Sequence, residues 1–476
     1  MTVSGSVESL SDINMTRHFV SLIRDWKPSG PELSAAARLF LIDGLSVAFA
    51  GAAEPGPRLA GELALQQCNS PMATVIGQGF TTSLSQAAQL NGMSMHVLDY
   101  EPMWNPPNHA LSTILPALLA LAELRESQGA GPQGAPLVCS LLKGIEAQGR
   151  LRLSSGQIEP RELSLHPPGV VGPLACAIAC GDFLGLDENQ IVAAVGIAAS
   201  RASGILANVG SMTKALHCGD ASRNGLEAAL LAEKGFTADP DALAGPRGYG
   251  HAYFGDRFDA SHLHAPLVVA RALTPGPAWK LFPSQYATHF VITAALDCRS
   301  SITDPSAIKT VEIVTPVMPY IDRPTPNSGL DGKFSLQYCA VVALLDGRVT
   351  LSSFTDARRY SADVVKLLAN THLTQTSDIS GRFDVMHVDV TVTLNDSTQV
   401  TQRCAAPLGS WSRPITPQDI ENKSHDLLDP QMSTEDSHTF WQMLAEPVER
   451  IQISTLLRCL AKIKANSASQ AERTCK

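Results

Sequence analysis

The chain has 476 residues, 44% of them hydrophobic and only 17% charged, with a formal net charge of −9. Such a length carries two or three domains and a large core, and so low a charge density requires helices buried on several faces. The acidic balance excludes a nucleic-acid binder, which carries a basic excess or patch. Ten cysteines are scattered without a CxxC pair or paired metal-ligand spacing, so no disulfide and no metal site are expected. That points to a reducing compartment. The first 26 residues lack the apolar core of a secretory signal. They are Ser-rich, but Glu8, Asp12 and Asp25 oppose an organellar presequence. A cytoplasmic location is expected, with a mitochondrial one as the alternative. The longest apolar runs, such as Leu115 to Ala122, fall short of the roughly 20 residues that span a bilayer, so no membrane association is expected.

In chain order, Thr16 to Trp26 reads as a short helix closed by Lys27-Pro-Ser-Gly30. Ala35 to Gly51 is apolar at nearly every turn, with Arg38 and Asp43 its only charges, which predicts a helix buried nearly all round. Asp43 there is expected to be structural. Ser83 is a candidate N-cap for a helix to Met95, rich in small residues. Ser112 to Arg125 is a buried helix in which Pro116 either kinks the chain or lies in the first turn. Further helices are expected over Leu137 to Arg150, Val170 to Leu184, Asp187 to Ser203 and Ala221 to Lys234, with Asp187 as a cap and Gly235 as a stop. Cys176 and Cys180 read as small core residues.

From Pro275 the character changes. Ile308 to Val314 is β-branched, and Val385 to Leu394 alternates with period two before a turn at Asn395-Asp396 and a strand at Gln399 to Arg403. Ser335 to Leu345 and Ser361 to Leu368 read as helices. Thr416 to Asp429 and Ser437 to Ile463 return to helix, and the polar last dozen residues are expected to be disordered. The expected fold is mostly α: a large all-α domain built from both chain ends (1–275 and 408–476), with a smaller α+β lid inserted at 276–407.

Three stretches gather acid/base side chains beside apolar helices. They are Met95-His-Val-Leu-Asp-Tyr-Glu-Pro-Met-Trp-Asn-Pro-Pro-Asn-His109, Leu165-His-Pro-Pro-Gly-Val-Val-Gly172 and Thr213-Lys-Ala-Leu-His-Cys-Gly219 with Ala221 to Gly225. Together with Leu41-Ile-Asp-Gly-Leu45, Phe282-Pro283, Thr288-His289 and Tyr320-Ile-Asp-Arg-Pro324, this ordered set resembles the MmgE/PrpD family over about Ala35 to Trp411. The resemblance implies the same division into a helical body and a lid, a homodimer, and a small tricarboxylate as substrate. Within the family it leans toward decarboxylation of an aconitate, cis or trans, to itaconate. Loss of water from 2-methylcitrate is the alternative inside the family, and a non-catalytic helical scaffold or binding protein the alternative outside it.

A tricarboxylate needs cations and hydrogen-bond donors in a pocket partly closed to water. Decarboxylation leaves an electron pair that passes through the neighbouring double bond to a carbon next to another carboxylate. No metal, pyridoxal or thiamine cofactor is formally required; the protein must stabilise the charge and supply one acid. His109, after a proline-restricted segment, is the first choice for that acid. Lys214 is the expected carboxylate anchor, because a lysine in so charge-poor a stretch is costly to bury without an anionic partner. Asp99 is expected to orient His109 or to bond a protonated carboxyl, and His166 and Tyr320 to reach the substrate as imidazole and phenol. His217, His289 and a lid cation, Arg323, complete the binding set. Each has a bland alternative: a loop or cap hydrogen bond for Asp99, backbone bonding for His166, packing for Tyr320. His96 reads as a satisfied core histidine. His262 and His264 form an H-x-H pair without a third ligand at fixed spacing. Gly245 to Gly250 lacks the strand–loop–helix setting of a phosphate cradle. Where the decarboxylase branch is expected to carry a Thr before the Trp, this chain has Met103, which removes a hydroxyl from the substrate pocket.

Overall fold

The computed structural model describes residues 14–67 and 70–462. The acidic positions Glu8 and Asp12, Cys68, Cys475 and the polar tail lie outside the described residues. The eight described cysteines are free. Among the described residues there are nineteen α-helices and six strands.

The body is a stack of apolar helices. These are α1 (Met15–Asp25), α2 (Pro31–Gly51), α3 (Pro55–Gln67), α4 (Leu84–Val97), α5 (Leu111–Ser127), α6 (Gly134–Ser154), α7 (Pro167–Leu184), α8 (Glu188–Ala199) and α9 (Thr213–Glu233). The short α10 (Tyr249–Phe254) and α11 (Ser261–His264) follow, and a hairpin of β1 (Ala73–Val75) and β2 (Phe80–Thr82) precedes α4. Capping follows the expected chemistry. The Ser83 side chain accepts from the N–H of Gln86, and Asp187 with Gln190 forms a reciprocal capping box at α8. Gly185 closes α7 in the left-handed conformation. Pro116 lies inside α5 rather than in its first turn.

Helices α2 and α7 are, by length and composition, apolar enough to cross a membrane. This corrects the expectation that no run reaches that length. In the structure 72% and 83% of their apolar windows are buried, as suits the core of a helical body.

Helix α9 starts eight residues before the predicted Ala221, so Lys214 and His217 ride on its first turns. Its crossing with α4 is set by glycine. A Cβ on Gly92 would meet the Gly219 Cα at 3.0 Å, and one on Gly219 would meet the Gln89 carbonyl oxygen at 2.4 Å. Only without side chains there do the helices approach closely enough to bring the C-terminal end of α4 to the N-terminal end of α9.

A second core forms from residues 278–404 together with Met103 and Val209. It contains α12 (Tyr286–Ser300), α13 (Gly329–Gly332), α14 (Leu336–Asp346), α15 (Asp356–Arg359) and α16 (Ala362–Leu368). Its sheet runs in the order β4-β3-β5-β6, with β3 (Ile308–Pro316), β4 (Thr371–Thr376), β5 (Val388–Leu394) and β6 (Gln399–Cys404). The pair β3–β4 is parallel, with Val311 opposite Thr371; β3–β5 and β5–β6 are antiparallel. The chain then returns in α17 (Pro417–Leu428), α18 (Thr434–Ala445) and α19 (Ile453–Cys459), whose apolar faces join the first core. The single helix expected over Ser437 to Ile463 is broken between Ala445 and Ile453, where Pro447 cannot continue the ladder.

Candidate functional site

The site lies where the two cores meet. Asp99 follows the end of α4 with φ 50°, a left-handed conformation that aspartate adopts more readily than most residues. Its buried carboxylate is held by both Lys214, from the first turn of α9, and Lys280, from the segment entering the second core. Burial alone would raise the Asp99 pKa, but the two ammonium groups hold it well below the usual carboxylate range. Lys280 is fully buried; burial pushes it down to about 8, against the pull of Asp99.

Two residues further on, Glu101 is fully buried, and among the described residues no lysine pairs with its carboxyl. Oε2 accepts the backbone N–H of Ser112 at 2.8 Å, at the start of α5. Oε1 lies 2.7 Å from His96 Nδ1 and 3.6 Å from His109 Nδ1. Burial pushes this carboxyl up to about 8, so it is protonated at neutral pH. The imidazoles of His109, His96 and His166 follow one another at centroid distances of 4.7 and 5.5 Å, and His217 meets His166 Nδ1 to Nδ1 at 3.3 Å. Burial, with Lys214 close by, drives these rings toward the neutral form; His109 falls to about 3.

Asp99, His109, His166, Lys214, Tyr320 and Met103 all line one cavity of about 60 Å³. Tyr320 stands on a short turn after β3, and its hydroxyl accepts from Gln285 Nε2 at 3.0 Å. Apolar side chains close the remaining wall, among them Leu163, Leu206, Val209 and Phe383. A larger groove of about 940 Å³ elsewhere, near Phe236 and Tyr253, is open, and its Arg201 is tied to Glu227. The titratable cluster is in the smaller cavity.

Five expectations change. Asp99 does not face His109 as its orienting acid; Glu101 is the carboxyl beside that ring, because Asp99 is taken by two lysines. His96 is no fully satisfied core residue: among the described residues its Nε2 has no hydrogen-bond partner, and its ring packs edge-on against His109. Arg323 does not line the cavity. Its guanidinium pairs with Asp331 and donates to the carbonyls of Val209 (2.7 Å) and Tyr320 (3.0 Å), so it braces the Tyr320 turn. His289 lies fully buried in α12 against Phe282 and Tyr286, behind the cavity wall. His217 touches His166 rather than lining the cavity itself.

Lys280 and Glu101 were not among the expected site residues. Lys280, like Lys214, is a lone lysine in a charge-poor stretch, between Pro277-Ala-Trp and Leu281-Phe-Pro. Three ligand-type atoms of His96, Glu101 and His109 lie within 4.8 Å of one another. Their closest pair, at 2.7 Å, is at hydrogen-bond distance; two ligands on one zinc stand about 3.3 Å apart.

Comparison with known proteins places the chain. Residues 17–261 match the MmgE/PrpD N-terminal domain and residues 282–446 the MmgE/PrpD C-terminal domain. A mouse protein named cis-aconitate decarboxylase is 31% identical over 403 residues, covering 81% of this chain and 80% of its own length. Its human counterpart is 30% identical, covering 81% and 82%. A protein of the same name from Aspergillus terreus is 24% identical, covering 78% and 80%. With both domains matched in order, the chain belongs to the MmgE/PrpD family.

Proposed function

We propose that the protein is a carboxy-lyase that decarboxylates an aconitate to itaconate without a cofactor. One observation carries the reading: a buried carboxylate held by two lysines faces the same cavity as neutral imidazoles and a phenol. The relatives named cis-aconitate decarboxylase support the choice of substrate.

In this reading Lys214 and Lys280 give the site an excess of positive charge over Asp99, which binds substrate carboxylates and restrains their protonation. The CH2–COO⁻ arm loses CO2. Its electron pair forms the new terminal double bond while the old double bond's pair moves to the carbon next to the remaining carboxylate. That carbon takes one proton, so a trianion and a proton become a dianion and CO2. A neutral His109 is a poor proton source by itself. Glu101, protonated and 3.6 Å from His109 Nδ1, is the reservoir: it passes its proton to Nδ1 as the ring delivers one from Nε2. Tyr320 donates a hydrogen bond to a carboxylate. Residues 276–407 act as a lid in this reading, since a cavity of about 60 Å³ is below the about 150 Å³ that holds benzene, and a tricarboxylate enters only when the two cores part.

The test is proton NMR of the purified protein with cis-aconitate, trans-aconitate and 2-methylcitrate in separate tubes, with EDTA present. Itaconate vinyl signals from either aconitate are expected. A methyl-aconitate signal from the third tube alone moves the protein to the dehydratase branch, and silence in all three overturns the reading.

A further inference from the structure

Four lysines converge on residues 98–100. Lys214 and Lys280 hold the Asp99 side chain, and Lys333 donates to the Leu98 carbonyl at 3.1 Å. The fourth, Lys423, comes from the returning helix α17. Its ammonium donates to the Tyr100 carbonyl at 2.6 Å and the Lys280 carbonyl at 3.0 Å, and it pairs with Asp43 of α2 at 2.7 Å. The two carbonyls accept two of the ammonium's three N–H donors, and Asp43 supplies the opposite charge beside them. The same nitrogen lies 3.8 Å from the centre of the Tyr100 ring, whose hydroxyl donates to the Leu281 carbonyl at 3.0 Å.

Neither Lys423 nor Asp43 lines the cavity, and both are buried. Stability alone gives little reason to keep them: replacing a buried ion pair by apolar side chains of similar volume is often neutral or stabilising. Their placement gives another reason. Asp99 has φ 50°, a conformation that persists when the surroundings over-determine it. Lys423 is the point at which α2, the Asp99 loop, the Lys280 segment and α17 are tied together.

We propose that Lys423, held by Asp43, is a positioning residue that pins the Tyr100 and Lys280 backbones so that the Asp99–Lys280 pair is aimed beneath the cavity. Its kinetic reading rests on the aconitate decarboxylation proposed above; its structural reading does not.

The test is the double variant Asp43→Leu/Lys423→Met, assayed on whichever aconitate the wild-type protein converts. Thermal stability is expected to stay within a few degrees. The kcat is expected to fall about 10- to 100-fold, the scale of a sub-ångström to 1 Å misplacement, with KM changed less than about three-fold. Unchanged kcat in a stable double variant overturns the proposal. If that variant does not fold, Lys423→Arg takes its place. The planar fork cannot set one charged nitrogen between the two carbonyls and the Asp43 carboxylate, so loss of kcat with the fold kept is expected, and full activity overturns the idea. A crystal structure of the variant that folds supplies the second readout. Asp99 is expected to leave its left-handed conformation or the Tyr100 and Lys280 carbonyls to separate; an unmoved loop overturns the proposal. If the wild-type protein converts no aconitate, the decarboxylase reading falls and the crystal structure alone decides this one.

Discussion

Asp99 and Glu101 stand two residues apart in the same loop, both buried, and have opposite charge states. Asp99 meets two ammonium groups and remains a carboxylate; Glu101 meets a backbone N–H and imidazoles and is protonated at neutral pH. Burial therefore does not decide the charge of a carboxyl. The nearest cation does. The contrast sets a fixed negative charge in the cavity wall at Asp99 and a protonated carboxyl behind His109.

The largest break in that contrast is Lys280→Met. It removes one of two cations from a buried aspartate, and we expect about 3 kcal/mol of stability lost and a 10²- to 10³-fold fall in kcat, read by denaturant unfolding and steady-state assay. A wild-type kcat in this variant would show that Lys214 alone suffices.

Glu101→Gln attacks the other side. The amide keeps an acceptor for the Ser112 N–H but carries no titrating proton, so a fall in kcat of about 10²-fold is expected. The same variant checks the pKa directly. A carboxyl raised to about 8 when folded, from near 4.3 in the unfolded chain, contributes stability that is full below about pH 4 and is lost as pH rises through 8. His109, depressed to about 3, has the opposite sign: its contribution is present above about 6.5 and is lost as pH falls. Comparing wild type with Glu101→Gln cancels the histidine contribution. The wild type should lose stability relative to the variant between pH 5 and 8, measured as the difference in Tm, and equal slopes would refute the protonated state.

Met103→Thr leaves both sides intact and changes only the wall between them. A restored hydroxyl contributes about 1 kcal/mol if it bonds the substrate, so KM for cis-aconitate should drop about five-fold with kcat little altered. The smallest effect is expected from Arg323→Met. Its guanidinium braces the Tyr320 turn and does not line the cavity, so kcat should change less than about three-fold. A loss of 10²-fold would return Arg323 to the substrate.

Much of this arrangement was legible in the chain. The helices of the body declared themselves through continuous apolar runs, and Asp99, His109, His166, Lys214 and Tyr320 do meet at one cavity. What was hidden had weak local signals. Strand β4, Thr-His-Leu-Thr-Gln-Thr, is a largely polar edge strand whose parallel partner lies 60 residues earlier, at Val311 opposite Thr371. Lys280 sits in an irregular segment with no periodicity to place it. The cap of α12 is the Gln285 side chain, an uncommon choice. Pairings such as Asp99 with Lys280 and Asp43 with Lys423 join residues far apart in the chain, and no window of sequence contains both partners.

Met103 is bonded at both backbone groups to one residue: its N–H donates to the Ala278 carbonyl at 3.0 Å, and its carbonyl accepts from the Ala278 N–H at 2.7 Å. The main chain there is anchored irrespective of what the side chain is. Exchanging that one side chain therefore redraws the cavity wall while the backbone pairing inside the second core is kept.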